Sequence, residues 1–280
     1  MLLLLFLLAP MMGIAAATTL LFCYEEVNSP QPLSSPRHSR PALLLRCFVS
    51  SFAGATLVVL TYPLGLLPRS ARGTVQQATE PANGYPPVLL VHGLYHNRSA
   101  WLALRRHLQT AGFKHLHDYS YASAGPDFHA LVNRLDAEMH AVQAMHPGSR
   151  PLLVGHSLGG LIIRRWLSLP GNAQRATGVL TLGTPHQGSK LAPLGLGALA
   201  HSLAYRGELV RQLEAAETAP SIPCTAIHSP ADNMVLPQEG LMVRVAGWKQ
   251  VEGPAVSHVW MLWNGATARR IVQELRQMVG

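Results

Sequence analysis

The stretch Leu152-Leu-Val-Gly155-His156-Ser157-Leu158-Gly159-Gly160 decides how the rest of the chain is interpreted. It runs from an apolar segment typical of a buried strand, through Gly-His-Ser-Leu-Gly, into an apolar segment typical of a helix. This is the pattern G-x-S-x-G in the strand–turn–helix context that the pattern requires. The flanking glycines let a strand and a helix approach without a Cβ clash. We therefore predict that Ser157 is an exposed nucleophile; a glycine-rich turn with an incidental serine is the alternative.

A serine hydroxyl is a weak nucleophile that needs a base within reach, and the base needs an orienting acid. Asp232 follows the apolar run 225–228, and the carboxyl ends of parallel strands are where such sheets bind ligands. His258 lies in a later loop that leads into the last predicted helix, and it completes the order Ser…Asp…His. We predict Asp232 as the acid, with a turn-capping role as the alternative, and His258 as the base. Rival acids all precede the serine: Asp118, Asp127 and Asp136.

Backbone N–H groups near the serine are expected to stabilise the negative charge that develops on the attacked oxygen. The run Val91-His92-Gly93-Leu94 ends the first predicted strand, and the N–H groups of Leu94 and Leu158 are predicted to form this oxyanion hole. His92 is predicted to hold its loop, and His156 to point away from the serine. The candidates for lining the pocket, with loop shaping as the alternative, are His92, His156, His186 and Gln187.

Short apolar runs alternate with amphipathic ones from residue 86 onward, which predicts an α/β fold with a mostly parallel sheet covered on both faces by helices. The predicted strands are 87–91, 117–121, 152–154, 177–182, 225–228 and one within 243–251. The predicted helices are 97–112, 126–146, 161–169 and 258–279. Residues 186–221 interrupt the alternation. They are a candidate cap or lid over a pocket, with an ordinary helical excursion as the alternative.

The beginning of the chain has a different composition, because residues 1–23 and 47–67 are apolar and carry no charged side chain. Each run is long enough to cross a bilayer, which needs about 20 apolar residues. A buried helix of a soluble domain is the alternative for the second run. A cleaved signal peptide is the alternative for the first run, since Ala15-Ala16-Ala17 offers small residues, although a basic segment before the apolar run is missing. The predicted regions are a membrane hairpin at 1–69, a linker at 70–85 and a catalytic domain at 86–280.

Two spans would put the N-terminus and the main domain on the same side of a membrane. Arg37, Arg40 and Arg46 lie between the spans, whereas Arg69 and Arg72 follow the second one. Because positively charged loops tend to stay in the cytoplasm, this small excess favours a non-cytoplasmic catalytic domain, at a bacterial inner membrane. The low content of charged residues, 13%, agrees with part of the chain lying in lipid.

Composition also excludes several kinds of partner and site. The net charge is +8, but no dense Lys/Arg run or basic-aromatic array follows the apolar segments, so nucleic-acid binding is not predicted. Three cysteines are too few for a disulfide framework, and no Cys/His cluster has the spacing of zinc ligands. We therefore predict no metal and no other cofactor. A mild attraction to anionic lipid surfaces is compatible with the charge.

Five motifs together resemble α/β-hydrolases of the bacterial lipase and esterase type, over about residues 86–280. They are V-H-G-L at 91–94, G-H-S-L-G-G at 155–160, L-G-T-P-H-Q-G-S at 182–189, Asp232 within S-P-A-D-N-M-V-L-P, and S-H at 257–258. The resemblance implies hydrolysis of carboxylic esters through an acyl-serine intermediate, with Ser157, Asp232 and His258 as the triad. The membrane-like N-terminus departs from secreted lipases, and the antiparallel strands that begin many such folds are not predicted before residue 86.

The sequence thus predicts a membrane-anchored lipase or carboxylesterase acting on an ester or lipid-like small molecule. A thioesterase, amidase or deacylase of a lipid-linked substrate would use the same groups, and the sequence does not separate these activities. A catalytically silent α/β-hydrolase fold that serves as a binding module is an alternative of a different class, against which the complete set of nucleophile, base and acid argues. A third alternative, a membrane hairpin whose soluble part is a tether, leaves the motifs unexplained.

Overall fold

A computed structural model describes residues 2–29, 39–67 and 84–280. Within the last range, strands and helices alternate along the chain, and the strands form one six-stranded sheet. The strands are β1 Val88–Val91, β2 Leu116–Tyr119, β3 Leu152–His156, β4 Gly178–Leu182, β5 Cys224–His228 and β6 Trp248–Glu252. Neighbouring strands pair in parallel in the order β2-β1-β3-β4-β5-β6. This confirms the parallel α/β sheet that the sequence predicts.

Eight α-helices are present in the described residues. They are α1 Leu2–Asn28, α2 Arg40–Leu66, α3 Leu102–Thr110, α4 Phe128–Met145, α5 Leu158–Leu167, α6 Ala198–His201, α7 Glu208–Ala216 and α8 Gly265–Val279. Short 3-10 turns precede α3 at Arg98–Trp101 and α8 at Trp260–Leu262. Most of the predicted linker, and the loop between α1 and α2, lie outside the described residues.

The strands are buried on both faces of the sheet, which explains why they are continuous apolar runs in the sequence. Side chains alternate along β1 and β3, so Leu89, Val91 and Leu153 join one core cluster with residues of α4 and α5. Val88 and Leu90 join a second cluster with residues of α3 and α8. Two helices therefore cover each face, and the loops at the carboxyl ends of the strands are left for the site.

The order of the strands in the sheet changes direction at β1, because β2 lies on one side of β1 and β3 on the other. From β1 the chain moves outward to β2, and it then returns to the other side of β1 to form β3. Val91, at the end of β1, pairs with Gly155 near the end of β3. The loops that follow these strands are therefore neighbours at a topological switch point, where open α/β sheets bind ligands.

The last helix begins later than the sequence predicts. The predicted helix starts at His258, whereas α8 starts at Gly265, with Asn264 as its N-cap. The Asn264 side chain accepts a hydrogen bond from the backbone N–H of Thr267 at 2.9 Å, and such a cap satisfies an N–H group that a helix start leaves free. His258 consequently lies in a loop ahead of the helix, where its position is set by contacts other than those of α8.

The two N-terminal helices form an antiparallel hairpin. Thr19 Oγ1 lies 3.7 Å from Cys47 Sγ, and Phe22 shares a buried cluster with Leu43 and Cys47. Both helices extend beyond the predicted runs 1–23 and 47–67, and the segments Leu8–Asn28 and Arg40–Leu66 are long and apolar enough to cross a membrane. Three of the five arginines behind the orientation argument, Arg37, Arg69 and Arg72, lie outside the described residues, so orientation stays a prediction.

Candidate active site

Ser157 stands on a sharp turn between β3 and α5. Its φ of 54° and ψ of −126° lie outside the regions that L-residues favour, so the backbone is strained at this residue. The Ser157 N–H donates to Leu182 O at 2.9 Å, which fixes the turn to the end of β4. A Cβ on Gly155 would lie 2.6 Å from Gly160 N, and a Cβ on Gly159 would lie 2.1 Å from Val91 O. The glycines therefore permit the close approach that the turn requires.

The loop after β1 runs directly beside the serine. A Cβ on Gly93 would lie 2.8 Å from Ser157 Cβ, a distance that folded proteins do not show. Leu94 follows in this loop, and Leu158 follows the serine as the first residue of α5. Within the described part of the chain, neither N–H group donates a hydrogen bond. Both predicted donors thus lie next to Ser157 in sequence or space and have no competing acceptor there.

Asp232 and His258 form a buried hydrogen-bonded pair. His258 Nδ1 lies 2.7 Å from Asp232 Oδ2, and the aspartate is completely buried. The other carboxylate oxygen, Oδ1, accepts from the backbone N–H groups of Met234 and Val235, each at 3.0 Å. Because an ionised carboxylate can only accept, Nδ1 donates and Nε2 is left as the ring nitrogen that can take a proton. This is the tautomer that a general base needs.

The end of β4 brings the acid–base pair next to the serine turn. A Cβ on Gly183 would lie 3.2 Å from His258 Nδ1 and 3.3 Å from Asp232 Oδ2, so the pair packs against this backbone. Leu182, the preceding residue, accepts the Ser157 N–H. No hydrogen bond joins Ser157 Oγ to His258 among the described residues, and catalytic hydrogen bonds are often long in free enzymes.

His92 and His156, which lie within the V-H-G-L and G-H-S-L-G-G motifs, are both buried in the α/β domain. His92 Nδ1 donates to Gly93 O at 2.8 Å, and Nε2 accepts from the N–H of Tyr121 at 3.1 Å. Burial lowers the pKa of His92 to about 4, so its ring is neutral near pH 7. His156 Nε2 lies 3.2 Å from His258 O, and burial, followed by the nearby His258, holds the pKa of His156 well below its usual range. His156 thus supports the backbone of the predicted base.

His186 and Gln187 are the first two residues of the predicted cap segment 186–221. His186 Nδ1 accepts from Arg164 Nη1 at 3.1 Å, and Nε2 donates to Thr181 Oγ1 at 3.0 Å; burial, with the Arg164 charge next, lowers its pKa well below the usual range. Gln187 Nε2 reaches Met242 O at 3.4 Å. Both side chains are almost fully buried and hold neighbouring segments together. Their predicted contact with a substrate pocket stays a prediction.

Segment 186–221, the candidate cap, is joined by a buried ion pair to α5, the helix that follows Ser157. Arg164 lies on α5, is completely buried, and donates through Nε to Glu217 Oε1 at 2.8 Å and through Nη2 to Glu217 Oε2. A second link lies near the predicted oxyanion hole. The hydroxyl of Tyr95 donates to Leu196 O and accepts from Leu196 N, both at 2.6 Å. Segment 186–221 therefore contacts at two places the elements that carry the candidate site.

The rival acids have other partners. Asp118 pairs with Arg105 at 2.8 Å, and Asp127 caps α4 by accepting from Ala130 N at 2.7 Å. Asp136 accepts from Trp166 Nε1 at 2.8 Å. The described residues contain no group of three or more His, Cys, Asp and Glu side chains arranged to hold a metal ion.

Sequence reasoning missed the contribution of the helix hairpin to the site. Asn233 Oδ1 accepts the backbone N–H of His258 at 3.3 Å, and its Nδ2 donates to Thr18 Oγ1 at 2.7 Å and Ser51 Oγ at 3.0 Å. In addition, the Ser257 N–H donates to Ser50 Oγ at 2.8 Å. The available signal was the presence of hydroxyl side chains in otherwise apolar runs. Membrane helices also contain hydroxyl side chains, so this signal did not point to the site.

Residues 86–205 match a family model described as the alpha/beta hydrolase fold. A monoacylglycerol lipase from Paleococcus ferrophilus is 20% identical with a TM-score of 0.52, over 70% of this chain and 96% of that one. A Bacillus licheniformis lipase is 18% identical with a TM-score of 0.61, over 70% and 94%. Lipase B from Aspergillus fumigatus is 16% identical with a TM-score of 0.62, over 89% and 61%. At these identities the likeness is one of fold.

Proposed function

We propose a serine-hydrolase function for this chain, whose domain has the α/β-hydrolase fold found in lipases and esterases. In this proposal Ser157 is the nucleophile, His258 the general base and Asp232 the orienting acid, and the substrates are carboxylic esters. The observation that carries it is the 2.7 Å hydrogen bond between His258 Nδ1 and Asp232 Oδ2, packed against the strand end that fixes the serine turn. A buried Asp–His pair beside a strained serine has the components of an activated nucleophile.

The first step forms an acyl-enzyme. His258 Nε2 takes the Ser157 proton as Oγ attacks the ester carbonyl, and the carbonyl oxygen becomes negatively charged. The N–H groups of Leu94 and Leu158 donate to this oxygen, where they stabilise charge only as it develops. His258 then gives its proton to the leaving alcohol oxygen as the C–O bond breaks. Asp232 keeps the imidazole oriented and stabilises its charged form.

The second step releases the acid. Water attacks the acyl carbon while His258 Nε2 takes a proton from it, and the same two N–H groups stabilise the second oxyanion. His258 returns the proton to Ser157 Oγ as the acyl–serine bond breaks. The neutral state of the buried His92 and His156 supports this assignment, because neither adds a competing positive charge beside the base.

Lipid-derived esters are the proposed substrate class, and membrane attachment through the N-terminal helices is part of the proposal. Large apolar side chains are exposed near the site, since Leu194 and Leu196 are 73% and 82% exposed and Leu196 is bonded to Tyr95 in the loop that carries Leu94. Apolar surface of this kind is typical of contact with lipid or with an apolar ligand.

The test is covalent labelling of the full chain by a fluorophosphonate probe, together with hydrolysis of p-nitrophenyl esters of increasing acyl length. We expect labelling and turnover in the wild-type protein and the loss of both in Ser157→Ala. Ser168→Ala, at the far end of α5, is the matched control and should keep both. An unlabelled wild-type protein would support the silent binding module instead. Higher turnover of a matched thioester or anilide would move the assignment to a thioesterase or amidase.

A further inference from the structure

The helix hairpin packs along the side of the α/β domain rather than meeting it at one end. Near the start of α2, Leu43 and Cys47 share a buried cluster with Ala231. Near its end, Asn97 Nδ2 donates to Tyr62 O at 3.0 Å, and a Cβ on Gly65 would overlap the Asn97 side chain. At a rise of 1.5 Å per residue, these contacts extend over roughly 33 Å of the helix.

That length is close to the thickness of the hydrocarbon core of a bilayer, about 30 Å. If α2 crossed a membrane upright with these contacts intact, it would carry the loops that it touches through the whole core. Those loops include the irregular backbone around Asn233 and Ser257 next to the acid–base pair. Irregular backbone facing lipid is not tolerated at that depth. The packing that the structure shows and an upright span therefore exclude each other.

The two faces of the hairpin also differ, because hydroxyl groups lie among the apolar side chains of the inward face, whereas the outward face is mostly apolar. Its hydroxyl groups on Thr18, Ser50 and Ser51 bond to the domain. Large apolar side chains are exposed along both helices, with Asn28, Arg40 and Arg46 exposed at or near the helix ends that face each other. Each of the following is more than half exposed: Leu20, Tyr24, Val27, Leu45, Val49, Leu60, Leu64 and Leu66. Such an outward face is suited to burial in the boundary between headgroups and acyl chains.

The seam between α2 and the domain opens into a cleft of about 800 Å³. Apolar side chains make up much of its wall, among them Leu45, Val49 and Trp260, and the polar side chains of Arg46, Ser50, Glu252 and Asn264 also line it. A cleft that combines an apolar wall with charged and polar groups suits the boundary of a leaflet, where acyl chains and headgroups meet.

We infer that the hairpin lies flat in one leaflet of a membrane, with both helices parallel to the membrane plane and no crossing of the bilayer. This inference rests on the proposed membrane attachment but is independent of the catalytic assignment. In this arrangement the turn between the helices and the α/β domain are on the same side. If the hairpin is flat, no helix crosses the bilayer. The distribution of arginines between and after the two helices then no longer predicts a non-cytoplasmic domain.

The first test is sidedness, with single cysteines introduced into full-length protein in a Cys23→Ser background, since Cys47 and Cys224 are buried. Ser39→Cys reports the exposed start of α2, and Ala141→Cys reports an exposed position on α4. A membrane-impermeant maleimide is applied to right-side-out and to inside-out vesicles, and detergent-solubilised protein shows that each cysteine is reactive. We expect both to react in the same vesicle type. Reaction in opposite types would overturn the inference.

The second test is depth, which does not depend on sidedness or on activity. Val49 and Leu64 are 54% and 51% exposed on α2, and cysteines at these positions are labelled with an environment-sensitive fluorophore after reconstitution into phosphatidylethanolamine–phosphatidylglycerol vesicles. Nitroxide lipids with shallow or deep quenchers then compare the two depths. A flat hairpin gives equal quenching ratios. An upright span gives deep quenching at Val49 and shallow quenching at Leu64, and a protein that does not bind the vesicles also contradicts the inference.

Discussion

The two halves of the candidate site are built in different ways. The serine turn and the loop after β1 are shaped by backbone that comes directly from neighbouring central strands, and glycines make the close contacts possible. The hydrogen-bonded pair Asp232–His258, the proposed acid and base, lies on loops after β5 and β6. It is held by side chains that include Asn233, whose other partners lie about 200 residues earlier in the sequence. One half is therefore a local property of the sheet, whereas the other depends on distant parts of the chain.

The largest effect is expected from Gly159→Ala, which tests the backbone-built half. Alanine is usually favoured over glycine in a helix by about 1 kcal/mol. Here the added methyl would lie 2.1 Å from Val91 O, at the end of a central strand that cannot move aside. We expect a loss of more than about 3 kcal/mol in the free energy of unfolding, measured by denaturant titration. Gly84→Ala, where nothing lies within 4 Å, is the control. Equal stabilities would refute this explanation.

A smaller loss of stability is expected when the pH is lowered, through His92 in the loop after β1, which belongs to the half of the site built from backbone. Burial lowers the pKa of His92 to about 4 from 6.5, so the unfolded chain binds a proton more readily than the folded one. Stability is therefore complete above pH 6.5 and falls as the pH drops towards 4, by about 3 kcal/mol for this residue. We expect His92→Gln to flatten the dependence of the unfolding free energy on pH between 6.5 and 4. The exposed His129→Gln should keep the wild-type slope, and an unchanged slope in His92→Gln would exclude the assignment.

The smallest effect is expected from Asn233→Ala, which tests the half built from side chains. The His258 N–H loses its acceptor, and the hairpin loses two hydrogen bonds to the loop. We expect kcat for a soluble ester to fall about 10-fold with KM unchanged, a loss of about 1.4 kcal/mol. Asn172→Ala removes a buried bond to Trp166 O away from the site and should leave kcat unchanged. Equal losses in both variants would show a general effect on stability instead.

The sheet was predictable because its strands are buried on both faces, so that runs such as Val88–Val91 are apolar without interruption. The positions of Ser157 and Asp232 after strand ends followed from the same alternation. The start of α8 was not predictable from apolar spacing, because the Asn264 cap outweighs a pattern that extends back to His258.

The contacts across long sequence distances were also not predictable. Nothing in the sequence pairs Arg164 with Glu217, because the two side chains meet only after segment 186–221 has folded onto α5. Membrane helices also contain serines, so Ser50 and Ser51 in the apolar run 47–67 do not by themselves predict a partner. Their hydrogen bonds to Asn233 and to the Ser257 N–H depend on how the hairpin docks on the domain, and composition does not determine that docking.

The docking of the hairpin changes how a shortened version of this protein should be regarded. Removal of residues 1–67 is the usual way to make an apolar N-terminus tractable for purification. Here that truncation would uncover Ala231, Leu236 and Ala255, and would leave the Asn233 amide without its two acceptors beside the backbone of His258. The remaining domain would keep every residue of the proposed triad, but it would lose the hairpin side chains that pack against the loops carrying Asp232 and His258. For protein engineering, the N-terminal helices should therefore be kept with the α/β domain.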